Sequence, residues 1–139
     1  MKKNIIGLKN IFALCMIFSF FTNSAMSEET TTSFHGGFMD PNGVDIVGYT
    51  AQTKINDSFY RYYTFGFPSL VAVGLNYYDN YQGNGFTGTL GVGIGSILYG
   101  SLAYQVNVKN THYLKLGGGY TSSVAYSGLY PVLSYEIRF

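Results

Sequence analysis

Charge is scarce in this chain, and thiol chemistry is scarcer. Charged residues make up 11% of the 139 positions, where an average soluble domain carries about 25%. A surface built to face water is normally covered by Lys, Glu and Asp, so the deficit points to an outer surface that meets something other than water. The one cysteine is Cys15, inside an apolar run, and the preceding Leu14 is not the small residue that lipoprotein processing needs. Beyond that run the chain has no thiol, which excludes a disulfide framework and any cysteine-based metal site. A helical period is missing too, and no internal repeat exists beyond a hairpin rhythm.

The amino terminus reads as an export signal. Lys2, Lys3 and Lys9 precede the apolar run Ile11 to Phe21, and Ala25-Met26-Ser27 supplies small residues at signal-peptidase spacing. The run is far short of the roughly 20 residues of a spanning helix. The expected organisation is therefore a cleavable signal peptide over residues 1–27 and one domain over residues 28–139. That domain carries five cations against seven acids, so nothing in it attracts nucleic acid electrostatically.

Tyrosine and glycine are what the chain has in plenty. All 14 tyrosines and 17 of the 18 glycines follow residue 27. Tyrosine gathers where apolar and aqueous phases meet, and glycine on the inner face of a narrow barrel lets it close without crowding.

A period of two runs through the second half. Phe86, Gly88, Leu90, Val92 and Ile94 oppose Thr87, Thr89, Gly91 and Gly93, and Gly95-Ser96 marks a reversal. Leu98, Gly100, Leu102, Tyr104, Val106 and Val108 then oppose Tyr99, Ser101, Ala103, Gln105, Asn107 and Lys109. After Asn110-Thr111, Leu114, Leu116, Gly118 and Tyr120 oppose Tyr113, Lys115, Gly117 and Gly119. Upstream, Ser58 to Phe67 and Val71 to Tyr78 read as strands separated by Pro68-Ser69, and 79–85 is a loop. A polar loop from Ser122 to Gly128 leads to the last strand, Pro131 to Phe139. Before residue 58 the pattern loosens, but Asp40-Pro41-Asn42-Gly43 is a strong turn between Thr30–Met39 and Val44–Ile55. If both flanks are strands the total is eight, an even number that closes a barrel and removes every edge.

The terminal strand carries a resemblance. Pro131, Leu133, Tyr135, Ile137 and Phe139 share one face, Val132, Ser134, Glu136 and Arg138 the other, and the chain stops on Phe139. This resembles bacterial outer-membrane β-barrel proteins, and in size the compact OmpX-like and OmpA-like barrels among them. The resemblance implies an all-β, antiparallel up-and-down transmembrane barrel of eight strands in the bacterial outer membrane. It also implies outer-membrane lipid as surroundings and the barrel-assembly machinery as a partner during biogenesis, since a terminal strand ending in Phe is that machinery's signal. The expected role is structural, surface-interacting or envelope-stabilising, with any host or surface partner unspecified.

No catalytic, cofactor-binding or metal-binding residue is assigned, and no cofactor is expected. His112 is followed by Tyr113 and Leu114, so the His-x-Ser pattern of outer-membrane deacylases is missing. His35 beside Gly36-Gly37 is no better. Asp40, Asn42 and Asp45 have a superficial likeness to a calcium loop, but the alternating acids and closing Glu are absent, and a turn is the better reading. The polar residues are expected inside: Asn76, Tyr78, Gln105, Asn107, Lys109, Tyr113, Lys115, Glu136 and Arg138, with Glu136 paired to Lys115 or Lys109. Eight strands leave an interior filled by side chains rather than a channel. Competing expectations are a soluble exported β-barrel holding a small apolar ligand, with the Leu/Val/Ile face inside, and a subunit of an oligomeric barrel. An outer-membrane lipid-modifying enzyme is the last alternative.

Overall fold

A computed structural model describes residues 29–42, 44–94, 98–123 and 126–139. The expected signal segment and the Gly95-Ser96 reversal lie outside the described residues. Eight strands follow one another: β1 (Thr30–Asp40), β2 (Asp45–Lys54), β3 (Phe59–Phe67), β4 (Leu70–Tyr78), β5 (Gly85–Gly93), β6 (Leu98–Lys109), β7 (His112–Ser122) and β8 (Ser127–Arg138). Each pairs antiparallel with the next, and β8 pairs with β1 to close the barrel. The two weakly alternating segments before residue 58 are thus β1 and β2, and the eight-stranded expectation holds.

The seam runs to the last residue. Ser33 to Phe38 pair with Arg138 to Leu133, and Phe139 N–H donates to the Thr32 carbonyl at 2.8 Å. No edge is left to satisfy along this stretch. Strand β8 begins earlier than its alternation suggested, with Ser127 to Tyr130 paired to β7. Pro131 sits past the final β1 partner, Leu133↔Phe38, where β8 has a neighbour on one side only and a missing donor is tolerated.

Because the strands run up and down, the start of β1, the end of β8 and the turns β2–β3, β4–β5 and β6–β7 share one end, here the proximal end. The turns β1–β2, β3–β4, β5–β6 and β7–β8 share the distal end. Inside and outside are sharply sorted. Phe65, Phe86, Leu90, Leu102, Leu129 and Phe139 are among the large apolar residues exposed on the outer wall, Leu102 at 68%. The interior holds Gln52, Thr64, Asn76, Gln105, Lys115 and Glu136, all essentially without exposure. Around the proximal rim, aromatic residues facing outward meet across strands, Phe59 with Tyr77 at 5.4 Å and Phe86 with Tyr104 at 5.2 Å between ring centroids.

Glycine makes room for the interior tyrosines. A methyl group at Gly91 would overlap the hydroxyls of Tyr62 and Tyr99, two buried rings that reach across the lumen and hydrogen bond to each other. At outward-facing Gly88 the same methyl would meet nothing closer than 3.5 Å.

Candidate functional site

Polar and charged side chains converge in the lumen, in a proximal tier, a middle tier and, at the β1–β2 turn, a distal tier. Nearest the proximal end, β7 and β8 place Lys115, Glu136 and Arg138 on the inner face, all buried. The Glu136 carboxylate accepts from Lys115 Nζ and, at 2.9 Å, from Arg138 Nε. The Arg138 guanidinium also donates to Gln105 Oε1 and lies 3.8 Å from the Tyr113 ring centroid and 4.1 Å from that of Tyr81. A planar cation between two rings is held by attraction to both π faces and by its fixed donors. One carboxylate thus serves two cations, a geometry that offsets the cost of burying all three charges.

The loop 79–84 closes this end. Gln105 Nε2 is within donating distance of the carbonyls of Asn80, Tyr81 and Gly83, at 3.2, 3.3 and 2.9 Å, and Arg138 donates to the Tyr81 carbonyl. The Tyr81 ring stacks on Tyr60 at 4.4 Å, with its hydroxyl 2.6 Å from Thr31 Oγ1. Burial pushes the Tyr81 phenol above its ordinary range. Outside this lid is a shallow polar groove of about 340 Å³ lined by Glu29, Lys54, Asp57, Tyr60, Tyr81 and Gln82 among others. Its Lys54–Asp57 pair, at 2.9 Å, is exposed, and the hydrogen bond from Lys54 holds the Asp57 carboxyl below its usual range.

The middle tier is an amide and hydroxyl network. Asn76 Nδ2 donates to Asn42 Oδ1 at 2.7 Å and to Gln52 Oε1 at 2.9 Å, while Thr89 donates to Asn76 Oδ1 at 2.7 Å. Tyr78 donates to Gln52 at 3.0 Å, and Tyr99 to the Asn42 carbonyl at 3.0 Å. These bonds cross the lumen between β2, β4, β5, β6 and the β1–β2 turn, as expected of an eight-stranded barrel filled by side chains.

Asn42 gets there because the β1–β2 turn folds inward. Its start is set by a register shift between Gly36 and Asp40, and by Met39 and Val44 at φ of 62° and 58°. Asp40, Asn42 and Asp45 are fully buried. Asp40 accepts from Asn42 N–H at 2.8 Å and from the Ser134 hydroxyl, while Asp45 Oδ1 accepts from Ser69 N–H and Oγ at 2.8 and 2.7 Å. The three side chains point to three different partners, Ser134, Asn76 and Ser69, which is the geometry of a tethered plug rather than of a cation loop. Among the described residues no group of three or more His, Cys, Asp or Glu is placed to hold a metal.

His35 is brought to this tier, 3.7 Å from Asp40 through Nδ1 and 3.4 Å from Thr50 Oγ1. A serine, a histidine and an acid therefore lie together, but in the wrong order for nucleophile activation. Ser134 spends its hydroxyl on Asp40, and among the described residues His35 is paired with Thr50 and Asp40 and with no serine. His112 stands on the outer side near the proximal rim, its Nδ1 2.8 Å from the Tyr135 hydroxyl.

Of the residues expected inside, Asn76, Tyr78, Gln105, Tyr113, Lys115, Glu136 and Arg138 are buried. Lys109 is not: a register shift between Asn107 and Lys109 carries it past the lumen to the exposed proximal end of β6. The Glu136 pair is accordingly with Lys115 and Arg138. Asn107 is half-buried and holds the turns, with Nδ2 donating to the Gln82 and Asn110 carbonyls at 2.9 and 2.8 Å. The distal cluster of His35, Asp40 and Asp45 went unseen, because a turn sequence does not say which way the turn folds. Compared with known families, curated proteins and solved structures, the chain matches none.

Proposed function

We propose that this chain is a small outer-membrane β-barrel protein of the compact OmpX/OmpA-like class, non-catalytic, with a structural, surface-interaction or envelope-integrity role. The observation that carries the reading is the inversion of the usual sorting: the wall is apolar outside and polar inside. A monomer in water rarely exposes apolar patches beyond a few hundred Å², whereas lipid requires an apolar wall and a closed ladder without edges. A soluble carrier of an apolar ligand would need the Leu/Val/Ile face inside, and here it is outside. Closure within one chain removes the need for further copies to complete a barrel. The hydrogen bonds across the lumen weigh against a diffusion pore, and the Ser134–Asp40–His35 order gives no support to a lipid-modifying enzyme. Lipid is then the medium of the wall, and the assembly machinery reads the Phe139 strand during biogenesis.

Export and fractionation test this reading. Expressed in a Gram-negative host, the protein is expected to lose its first 27 residues and to be recovered with the outer membrane; mass spectrometry and a fractionation blot measure both. Recovery in the soluble periplasm would overturn it.

A further inference from the structure

The two rims of the barrel differ in chemistry more than the wall requires. Glu29, Lys54, Asp57, Asp79 and Lys109 all sit at the proximal end, and Arg61 lies near it on the outer face. The distal connections carry no charged residue: they read Pro-Asn-Gly-Val at 41–44, Pro-Ser at 68–69, Ile-Gly-Ser-Ile at 94–97 and Ser-Val-Ala-Tyr at 123–126. The rim around them presents Phe38, Phe67, Leu70, Ile94, Tyr126 and Leu129, each more than half exposed, Leu129 at 79%. The distal end does own two acids, Asp40 and Asp45, and the fold turns both inward to hydroxyl and amide donors. A turn bound for water would have left those carboxylates hydrated, since taking a carboxylate out of water is costly.

Height sharpens the contrast. Strands of 9 to 12 residues at about 3.3 Å per residue, tilted roughly 40°, make a wall about 25 Å tall, the height of the apolar band of a membrane barrel. The distal strand ends are joined by connections of only two to four residues.

We infer that the distal end of the barrel seats within the bilayer, at the boundary between acyl chains and headgroups, and does not project into water. This rests on the membrane reading. Its occupant is lipid because the rim is continuous with the apolar wall and lacks the charges by which a protein partner would be chosen.

The chain has no tryptophan, so a single introduced indole reports one position alone. Leu129→Trp marks the distal rim, Leu102→Trp the middle of the wall and Asp57→Trp the proximal turn; Ile94→Trp replaces Leu129→Trp should that variant fail to fold. The purified exported protein is reconstituted into phosphatidylcholine vesicles brominated either at mid-chain or near the headgroup, with iodide as the aqueous quencher. The expected result is quenching of Leu102→Trp by mid-chain bromine and of Leu129→Trp by bromine near the headgroup. Iodide should quench Leu129→Trp several-fold less than Asp57→Trp. If Leu129→Trp is as open to iodide as Asp57→Trp while Leu102→Trp still answers to bromine, the rim is in water and the inference falls with the membrane reading intact. Shielding of Leu129→Trp from both quenchers would mean that a second copy covers the rim, which also overturns it. Failure of either bromine to quench Leu102→Trp would overturn the membrane reading itself, and the inference with it.

Discussion

Glu136 is the residue on which the proximal tier depends. It is fully buried and accepts from both Lys115 and Arg138, so Glu136→Gln leaves two cations facing each other without their anion. Breaking such a buried pair costs about 3 to 5 kcal/mol, and urea unfolding of the detergent-refolded protein should show a loss of that order. Lys109→Gln at the exposed proximal end of β6 should change stability by less than about 0.5 kcal/mol; equal losses would contradict the assignment of Glu136 to Lys115 and Arg138. Gly91 and Gly88 make a second comparison. Gly91→Ala drives a methyl into the Tyr62 and Tyr99 hydroxyls, and overpacking of this kind costs about 1 to 3 kcal/mol. Gly88→Ala points outward and meets its neighbours only at ordinary van der Waals distance, 3.5 Å or more, and should be close to neutral in the same titration.

At the scale of the strand, the question is which face the outer surroundings meet. Leu102 and Ala103 are neighbours on β6 with opposite aspects, one 68% exposed and the other 3%. On the membrane reading, Leu102→Lys should cost about 2 to 4 kcal/mol at the midplane, while Ala103→Ser adds a hydroxyl to a polar interior and should cost little. Equal tolerance of polar change on both faces would contradict a transmembrane strand. The carboxyl-terminal strand adds a test of biogenesis: Phe139→Asp should reduce membrane-assembled yield in cells far more than Arg138→Lys. A terminal side chain is worth only about 1.5 to 3 kcal/mol when fully buried, so a yield collapse in cells beside mild losses in detergent refolding points to recognition by the assembly machinery. Normal assembly of Phe139→Asp would remove that reading. The strands from residue 58 onward were legible because strict alternation separates Leu102 from Ala103 and Leu116 from Lys115, whatever the partner. The first two strands were less so, because Gly36, Gly37 and Gly48 blur the period. The inward turn was illegible: non-glycine residues at positive φ, here Met39 and Val44, leave no mark in a sequence. Lys109 was misplaced for a related reason, since a one-residue register shift flips every side chain beyond it.

The whole molecule is a cylinder with lids of different kinds: a backbone loop over a caged guanidinium at the proximal end, and a tucked turn with its acids buried at the distal end. Between them the amide and hydroxyl network crosses the lumen, and on the proposed reading the outer surface and the rims carry the function. The barrel topology could be anticipated from an even count of alternating segments, while the content of the lumen depended on which strands closure sets side by side. That closure, with an apolar wall around a polar interior, is the central claim. Its most direct test is the migration of the detergent-solubilised protein on a denaturing gel with and without boiling. A closed barrel resists the detergent until heated, so the unboiled sample should run as a compact, faster band that shifts to the unfolded position on boiling. A single band at the unfolded position in both lanes would contradict it.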